Sequence, residues 1–169
     1  MELRLDLHIH SERSFDGCMS LSEIVALARE RGLNGVAICD HDRVLDEVPE
    51  FDDFLVIPAT EVSTERGHLL GLFVREPIET RTFSESVTAI HAQGGLAVIA
   101  HPFEHSTDAN RLDDVMSRLD GVEIWNSRAD RKNKSANAMA RELAQKWKKP
   151  VTAGSDAHVP EEVGGGVTV

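Results

Sequence analysis

The chain has 169 residues, 41% of them hydrophobic, a formal net charge of −11, and eight histidines against no tyrosine. That length makes one domain, expected over residues 1–169, with enough chain for a full core, and the acidic balance disfavours duplex nucleic acid and anionic membrane as partners. No apolar run approaches the ~18 residues of a membrane span, the N-terminus MELRLDLHIH is no signal peptide, and the two cysteines, Cys18 and Cys39, are too few for a disulfide scaffold, so a reducing cytoplasm is the expected compartment.

Residues 3–8 alternate apolar and charged side chains and read as a first strand. Ser20-Leu-Ser-Glu23 is a capping box that opens a helix to Arg31, which Gly32 ends. Residues 36–39 read as strand two. Residues 54–61 read as strand three, with Pro58 marking an edge or an irregularity. A turn over 63–67 leads into strand four at 68–74. A second capping box, Thr82-Phe-Ser-Glu85, opens a helix that stops at Gly94-Gly95. Strand five is expected at 96–100, a helix at 110–119 and strand six at 122–125. The apolar stripe of Ala136, Met139, Ala140, Leu143 and Trp147 predicts a helix over 135–148. Strand seven falls at 150–153, and 167–169 could add one more strand.

Strands alternating with helices imply an α/β fold with a mostly parallel sheet. Seven such units resemble a closed or distorted β/α barrel of TIM-like type more than an open sheet. A full eight-stranded barrel usually takes ~250 residues, so this compact one is expected to have short loops and to lack its last helix.

The strand ends carry the chemistry. Strand one ends in His8-Ile-His10, strand two in Asp40-His41-Asp42, strand three in Glu61, strand five in His101 and strand seven in Gly154-Ser-Asp156-Ala-His158. In parallel α/β barrels these ends share one face, the face of active sites. Asp16 lies in the loop after strand one on that face. A hairpin of strands three and four would bring His68 beside Glu61. Each signal alone is weak: His41 could cap a helix and Asp156 could form an Asx turn. Five strand ends with potential ligands point instead to metal binding. Imidazole with carboxylate suits zinc, manganese or iron, and ligand-rich loops in this number suit two or three ions. His91 falls inside a helix and reads as structural. His105 reads as surface or substrate-facing.

Asp6-Leu-His8-Ile-His10-Ser11, Asp16-Gly17, Asp40-His41-Asp42, Glu61 with Gly67-His68, Ala100-His101-Pro102 and Gly154-Ser-Asp156-Ala-His158 resemble the motifs of the PHP (polymerase and histidinol phosphatase) family, in that family's order. Val122-Glu-Ile-Trp-Asn126-Ser-Arg128 and the helix containing Asn137 are similar to its segment before the last motif. The resemblance implies a distorted seven-stranded barrel with a trinuclear site. It implies nine metal ligands: His8, His10, Asp16, His41, Glu61, His68, His101, Asp156 and His158, with Glu61 bridging two ions. It also implies zinc, manganese or iron and hydrolysis of phosphoesters. Only 54 residues separate His101 from Asp156, which leaves no room for the inserted lobe of some subfamilies. The family barrel commonly continues with a helix beyond the last strand; a partner subunit could cover that place, so an oligomer stays open.

The expected activity is a metal-dependent phosphoesterase in which a metal-bridging hydroxide attacks phosphorus. Its substrate class is a small phosphomonoester or nucleotide. A nuclease acting on nucleic-acid ends and a non-catalytic metal-stabilised module are the alternatives. His101, His158 and Asp156 are the candidate catalytic residues, and Arg13, Arg128 and His105 the candidate substrate contacts. A carbamylated-lysine amidohydrolase is excluded, because every lysine lies after strand six.

Overall fold

A computed structural model describes residues 2–80 and 82–169. Seven strands form one sheet in sequential order: β1 (Leu5–Ile9), β2 (Gly35–Ile38), β3 (Leu55–Thr64), β4 (Gly67–Leu72), β5 (Leu96–Ile99), β6 (Gly121–Asn126) and β7 (Val151–Gly154). All neighbours are parallel except β4, which runs antiparallel to both β3 and β5. The sheet curls until β1 meets β7. Asp156 N–H donates to His8 O at 2.8 Å, and His10 N–H donates to Ala157 O at 2.9 Å. At the opposite end Leu5 and Thr168 exchange two backbone hydrogen bonds of 2.9 and 2.8 Å. The expected extra strand over 167–169 is therefore a single bridge that seals the β1–β7 seam, in a nearly closed α/β barrel.

The helices pack outside the barrel. Ser20 Oγ accepts from Glu23 N–H and starts α1 (Leu21–Glu30). Gly32 ends it with φ 71°, a conformation that favours glycine. Thr82 Oγ1 accepts from Glu85 N–H and starts α2 (Phe83–Ala92). These caps satisfy backbone donors that would otherwise be orphaned, so the two boxes mark helix starts in the sequence as well. β6 leads directly into α3 (Ser127–Lys132), followed by α4 (Ala136–Trp147). Ala136, Ala140, Leu143 and Ala144 are the buried stripe of α4.

Three apolar clusters follow from this layering. Leu7, Ala37, Cys39, Ile57, Ala59, Leu70, Leu72, Val98 and Ala100, drawn from β1 to β5, form one of them. A second lies between α1 and the first strands, and a third under α2 and α4. The β1–β2 register slips between Asp6 and Ile9. Leu7 consequently joins the first cluster while Ile9 packs with the second. Bulges of this kind re-aim side chains beside active sites.

Three expectations need correction. The segment 110–119 is not a helix but two 3₁₀ turns, Asn110–Leu112 and Met116–Arg118. Leu112, Val115, Met116 and Leu119 are all buried, so helical spacing was met by two short turns. The short helix α3 was not foreseen, being six mostly polar residues. β3 runs three residues past Glu61 into the hairpin, and β4 makes the sheet mixed. Pro58 sits where β3 passes from its last β2 pair to its first β4 pair, a changeover that tolerates a missing N–H. No α-helix follows β7 among the described residues; a 3₁₀ turn, Pro160–Glu162, takes that place.

Candidate metal centre

At the end of the barrel where β1, β2, β5 and β7 terminate, side chains from six strands and one loop converge. His8 and His10 come from β1 and its exit, and the loop before α1 supplies Asp16. His41 follows β2, Glu61 lies in β3 and His68 is the second residue of β4. His101 follows β5, and Asp156 with His158 follows β7. The antiparallel hairpin pairs Ser63 with His68, which places His68 Nδ1 2.9 Å from Glu61 Oε1. All nine residues expected as ligands are brought together.

Glu61 is the hub. Its Oε1 also lies 2.9 Å from His101 Nε2. Its Oε2 lies 3.3 to 3.4 Å from His8 Nε2, His10 Nε2 and His41 Nδ1. Asp156 Oδ1 sits 3.2 Å from His10 Nε2, and Asp16 Oδ2 sits 2.9 Å from His158 Nε2. Donor atoms fall into three overlapping sets, each within 4.8 Å: His10, Asp16, His41 and His158; His8, His10 and Asp156; His8, Glu61 and His101. His101 and Asp156 hold positive φ values of 26° and 56°, unusual for non-glycine residues and characteristic of functional sites.

The donor set fits divalent ions on structural grounds. His8 Nε2 and His10 Nε2 face each other at 3.2 Å, and His41 Nδ1 is buried without a hydrogen-bond partner. Inward-facing nitrogens with too few protein partners are what ligation satisfies. The donors are nitrogen and oxygen only. Cys39 takes no part: its thiol packs on Leu7 O and Ala37 O, and burial pushes its pKa upward.

Without metal, the cluster neutralises itself. Burial opposes charge on His8, but Asp156, Glu123 and Glu61 raise its pKa well above the usual value. Burial likewise opposes charge on His10 and His101, yet their carboxylate partners raise both to about 9. Burial would raise Glu61, but His8, His10, His101 and His68 hold it well below the usual carboxylate range. Asp156 is lowered in the same way, against burial, by His8, His10 and His101. His41 differs: burial dominates and lowers it.

Behind these side chains stands a supporting layer, of which the reading of strand ends named Asp40 and Ser155 without giving them a role. Glu123 Oε1 bonds His8 Nδ1 at 3.0 Å, while its Oε2 accepts from His101 N–H and Asn126 Nδ2. Asp40 accepts from Ser11 N–H and Oγ. Ser14 Oγ donates to Asp16 Oδ1 at 2.9 Å. Asp6 accepts from Ser155 and Gly164 N–H, and burial raises its pKa to about 6. Glu104 Oε2 lies 3.2 Å from His101 Nδ1. Glu123 stands beside apolar residues in a buried strand, and a charge in such a run is the signal that could have found it.

The candidate substrate contacts divide. Arg128 lines the cavity of about 160 Å³ over the cluster, as does His105. Lys132, one turn after Arg128 on α3, lines it too and was not foreseen. Arg13 does not join them; it pairs with Asp46 at 2.6 Å and lines a separate depression. His91 pairs with Asp120 at 2.7 Å, away from the centre. Phe15, 86% exposed, stacks on His41 at the rim.

The model of the PHP domain matches residues 6–56, and that of a PHP-associated segment matches residues 134–169. An uncharacterised protein of Methanocaldococcus jannaschii is 33% identical over 166 residues, covering 85% of this chain and 95% of that one. A Shewanella amazonensis protein named probable phosphatase is 24% identical, covering 98% of this chain and 80% of its own. Among solved structures, a two-domain protein from Bacteroides vulgatus, described as containing a predicted PHP-like metal-dependent phosphoesterase, superposes with a TM-score of 0.69 at 19% identity. It covers 95% of this chain, which spans about half (53%) of that one.

Proposed function

This chain belongs to the PHP family, and from that membership we propose a metal-dependent phosphoesterase acting on a small phosphomonoester or nucleotide through two or three zinc, manganese or iron ions. The observation that carries the reading is the convergence of nine nitrogen- and oxygen-bearing side chains under one small cavity, eight of them in three overlapping donor sets and His68 against Glu61. His8, His10, Asp16, His41, Glu61, His68, His101, Asp156 and His158 would hold the ions, with Glu61 placed to bridge. Bound divalent ions supply neutralisation of phosphoryl oxygens and activation of water for attack at phosphorus.

The chain's own groups supply the rest. His101, Asp156 and His158 wall the cavity and would fix where the phosphoryl group sits. Arg128 and Lys132 hang over it, held by Glu162 and Glu104, and can turn to phosphoryl oxygens. His105 would protonate the leaving oxygen. Its Nε2 lies 3.3 Å from Glu104, and its side chain is 75% exposed at the cavity mouth. The small cavity supports a small ester over a duplex.

Metal analysis after gentle purification tests the first step, with two or three ions per chain as the expected result. A panel of phosphomonoesters, phosphodiesters and nucleotides with Mn²⁺, Zn²⁺ and Fe²⁺ added in turn tests the second. A metal-free protein, or an undiminished rate in the doubly substituted Asp156→Ala, His158→Ala chain, would sink the reading. His105→Gln should slow esters with poor leaving groups by roughly 10²-fold and leave p-nitrophenyl phosphate nearly untouched, since that leaving group needs no proton. Equal losses on both would remove His105 from the proton-donor role.

A further inference from the structure

A second cavity, of about 270 Å³, adjoins the metal cavity and shares the walls made by His68, His101, Glu104 and His105. An ester with its phosphoryl group over the ligands would extend its alcohol into this chamber. Arg66 and Arg111 line it as well, and they brace each other. Each donates through Nη1 to the other's backbone carbonyl, and Arg111 Nη2 donates to Pro102 O. Their charges are treated differently. Arg66 is paired with Asp114 and with Glu65. The carboxylates on the chamber wall are engaged elsewhere: Glu65 also accepts from Phe83 N–H, and Glu104 pairs with Lys132, His101 and His105. Arg111 has only backbone carbonyls as partners, with no carboxylate in ion-pair contact among the described residues. Its Nε is buried without a hydrogen-bond partner. Burial lowers its pKa, and Asp108 offsets this only from a longer range. A half-buried guanidinium without a counter-charge is costly until an anion completes it.

We propose that this chamber receives the leaving alcohol and that Arg111 selects phosphate monoesters whose alcohol carries a second oxyanion, a carboxylate or another phosphate. The inference rests on the phosphoesterase reading, so its test measures binding beside turnover. Metal-loaded protein is titrated calorimetrically with alkylphosphonates, and with carboxyalkylphosphonates and bisphosphonates of matching chain length. Turnover is compared on glycerol 3-phosphate, 3-phosphoglycerate and 1,3-propanediol bisphosphate. A ligand with the second anion should bind about tenfold or more tightly than its alkyl counterpart, as one charge-assisted hydrogen bond allows. The carboxylate and phosphate arms show which anion is preferred. Arg111→Gln should cut that ratio about tenfold, and Arg111→Lys, which keeps the charge, should retain part of it. If the Gln variant does not fold, the wild-type ratio and the Lys variant decide. A wild-type ratio near one, or a folded Gln variant with the wild-type ratio, overturns the assignment of the chamber. Turnover without any second-anion preference overturns that assignment alone; no turnover together with no phosphonate binding overturns the phosphoesterase reading with it.

Discussion

Glu61 concentrates the chemistry of the site in one side chain, because five imidazoles face its two oxygens. Glu61→Gln keeps the volume and removes the charge that compensates them. Breaking such a buried pair costs about 3–5 kcal/mol, so a fall in kcat/KM of at least ~10²-fold is expected, with bound metal lost by elemental analysis. Glu123 acts one step further back, through His8 Nδ1. Glu123→Gln should weaken metal binding by roughly 10–100-fold while the fold persists, measured by competition with a chelating dye. The histidines also set a pH dependence. His10 and His101 have pKa values raised to about 9 in the metal-free protein. Protons therefore stabilise the fold: that contribution is complete below the ordinary histidine value of 6.5 and is lost as pH rises through about 9. Metal must displace the same protons, so its affinity should rise across the window in which the metal-free protein weakens. Thermal melts and metal titrations at matched pH check both, and an affinity independent of pH would exclude these imidazoles as ligands.

Among the elements, the β6–α3 junction shows how local structure serves the centre. Asn126 Oδ1 accepts from Ala129 N–H at 2.7 Å and caps α3, while its Nδ2 reaches Glu123 and Asp156. Asn126→Ala should cost about 1–2 kcal/mol by denaturant titration and loosen metal binding as well, since one side chain does both jobs. β7 ends in Gly154 for a steric reason: a Cβ there would lie 2.3 Å from His8 Cβ. The helices α1, α2 and α4 were legible because caps and apolar stripes are local signals. The 3₁₀ turns at 110–118 and the helix α3 were not. Their spacing and polarity are shared by several structures, and only packing against β6 and the barrel decides between them.

Across the whole molecule, the proposed ions would tie together β1, β2, β3, β4, β5 and β7, the strands whose ends or interiors supply the nine donors. Closure otherwise rests on the β1–β7 seam, where short backbone bridges and Thr168 do the joining. Metal should therefore stabilise the barrel. At a free concentration a hundred times the dissociation constant the linkage is about 2.7 kcal/mol, and a chelator should lower the melting temperature by roughly 5–10 °C. Calorimetry with and without chelator checks this, and an unchanged melting temperature would separate the site from the stability of the barrel. No helix among the described residues is long and apolar enough to cross a membrane.

The sequence by itself determined which residue types gather. His8-Ile-His10, Asp40-His41-Asp42, His101 and Gly154-Ser-Asp156-Ala-His158 each end a strand, and strand ends on one face of a barrel must meet. Only the tertiary structure decided the distances and the second layer. The hairpin that spacing suggested sets His68 Nδ1 2.9 Å from Glu61 Oε1, and α3 brings Lys132 over the cavity. Asp46 draws Arg13 away from it, while Arg111, lining the neighbouring chamber, has no carboxylate in ion-pair contact among the described residues. Chain order records which strand a side chain leaves. How far it reaches, and what neutralises it there, depends on groups brought in from distant parts of the chain.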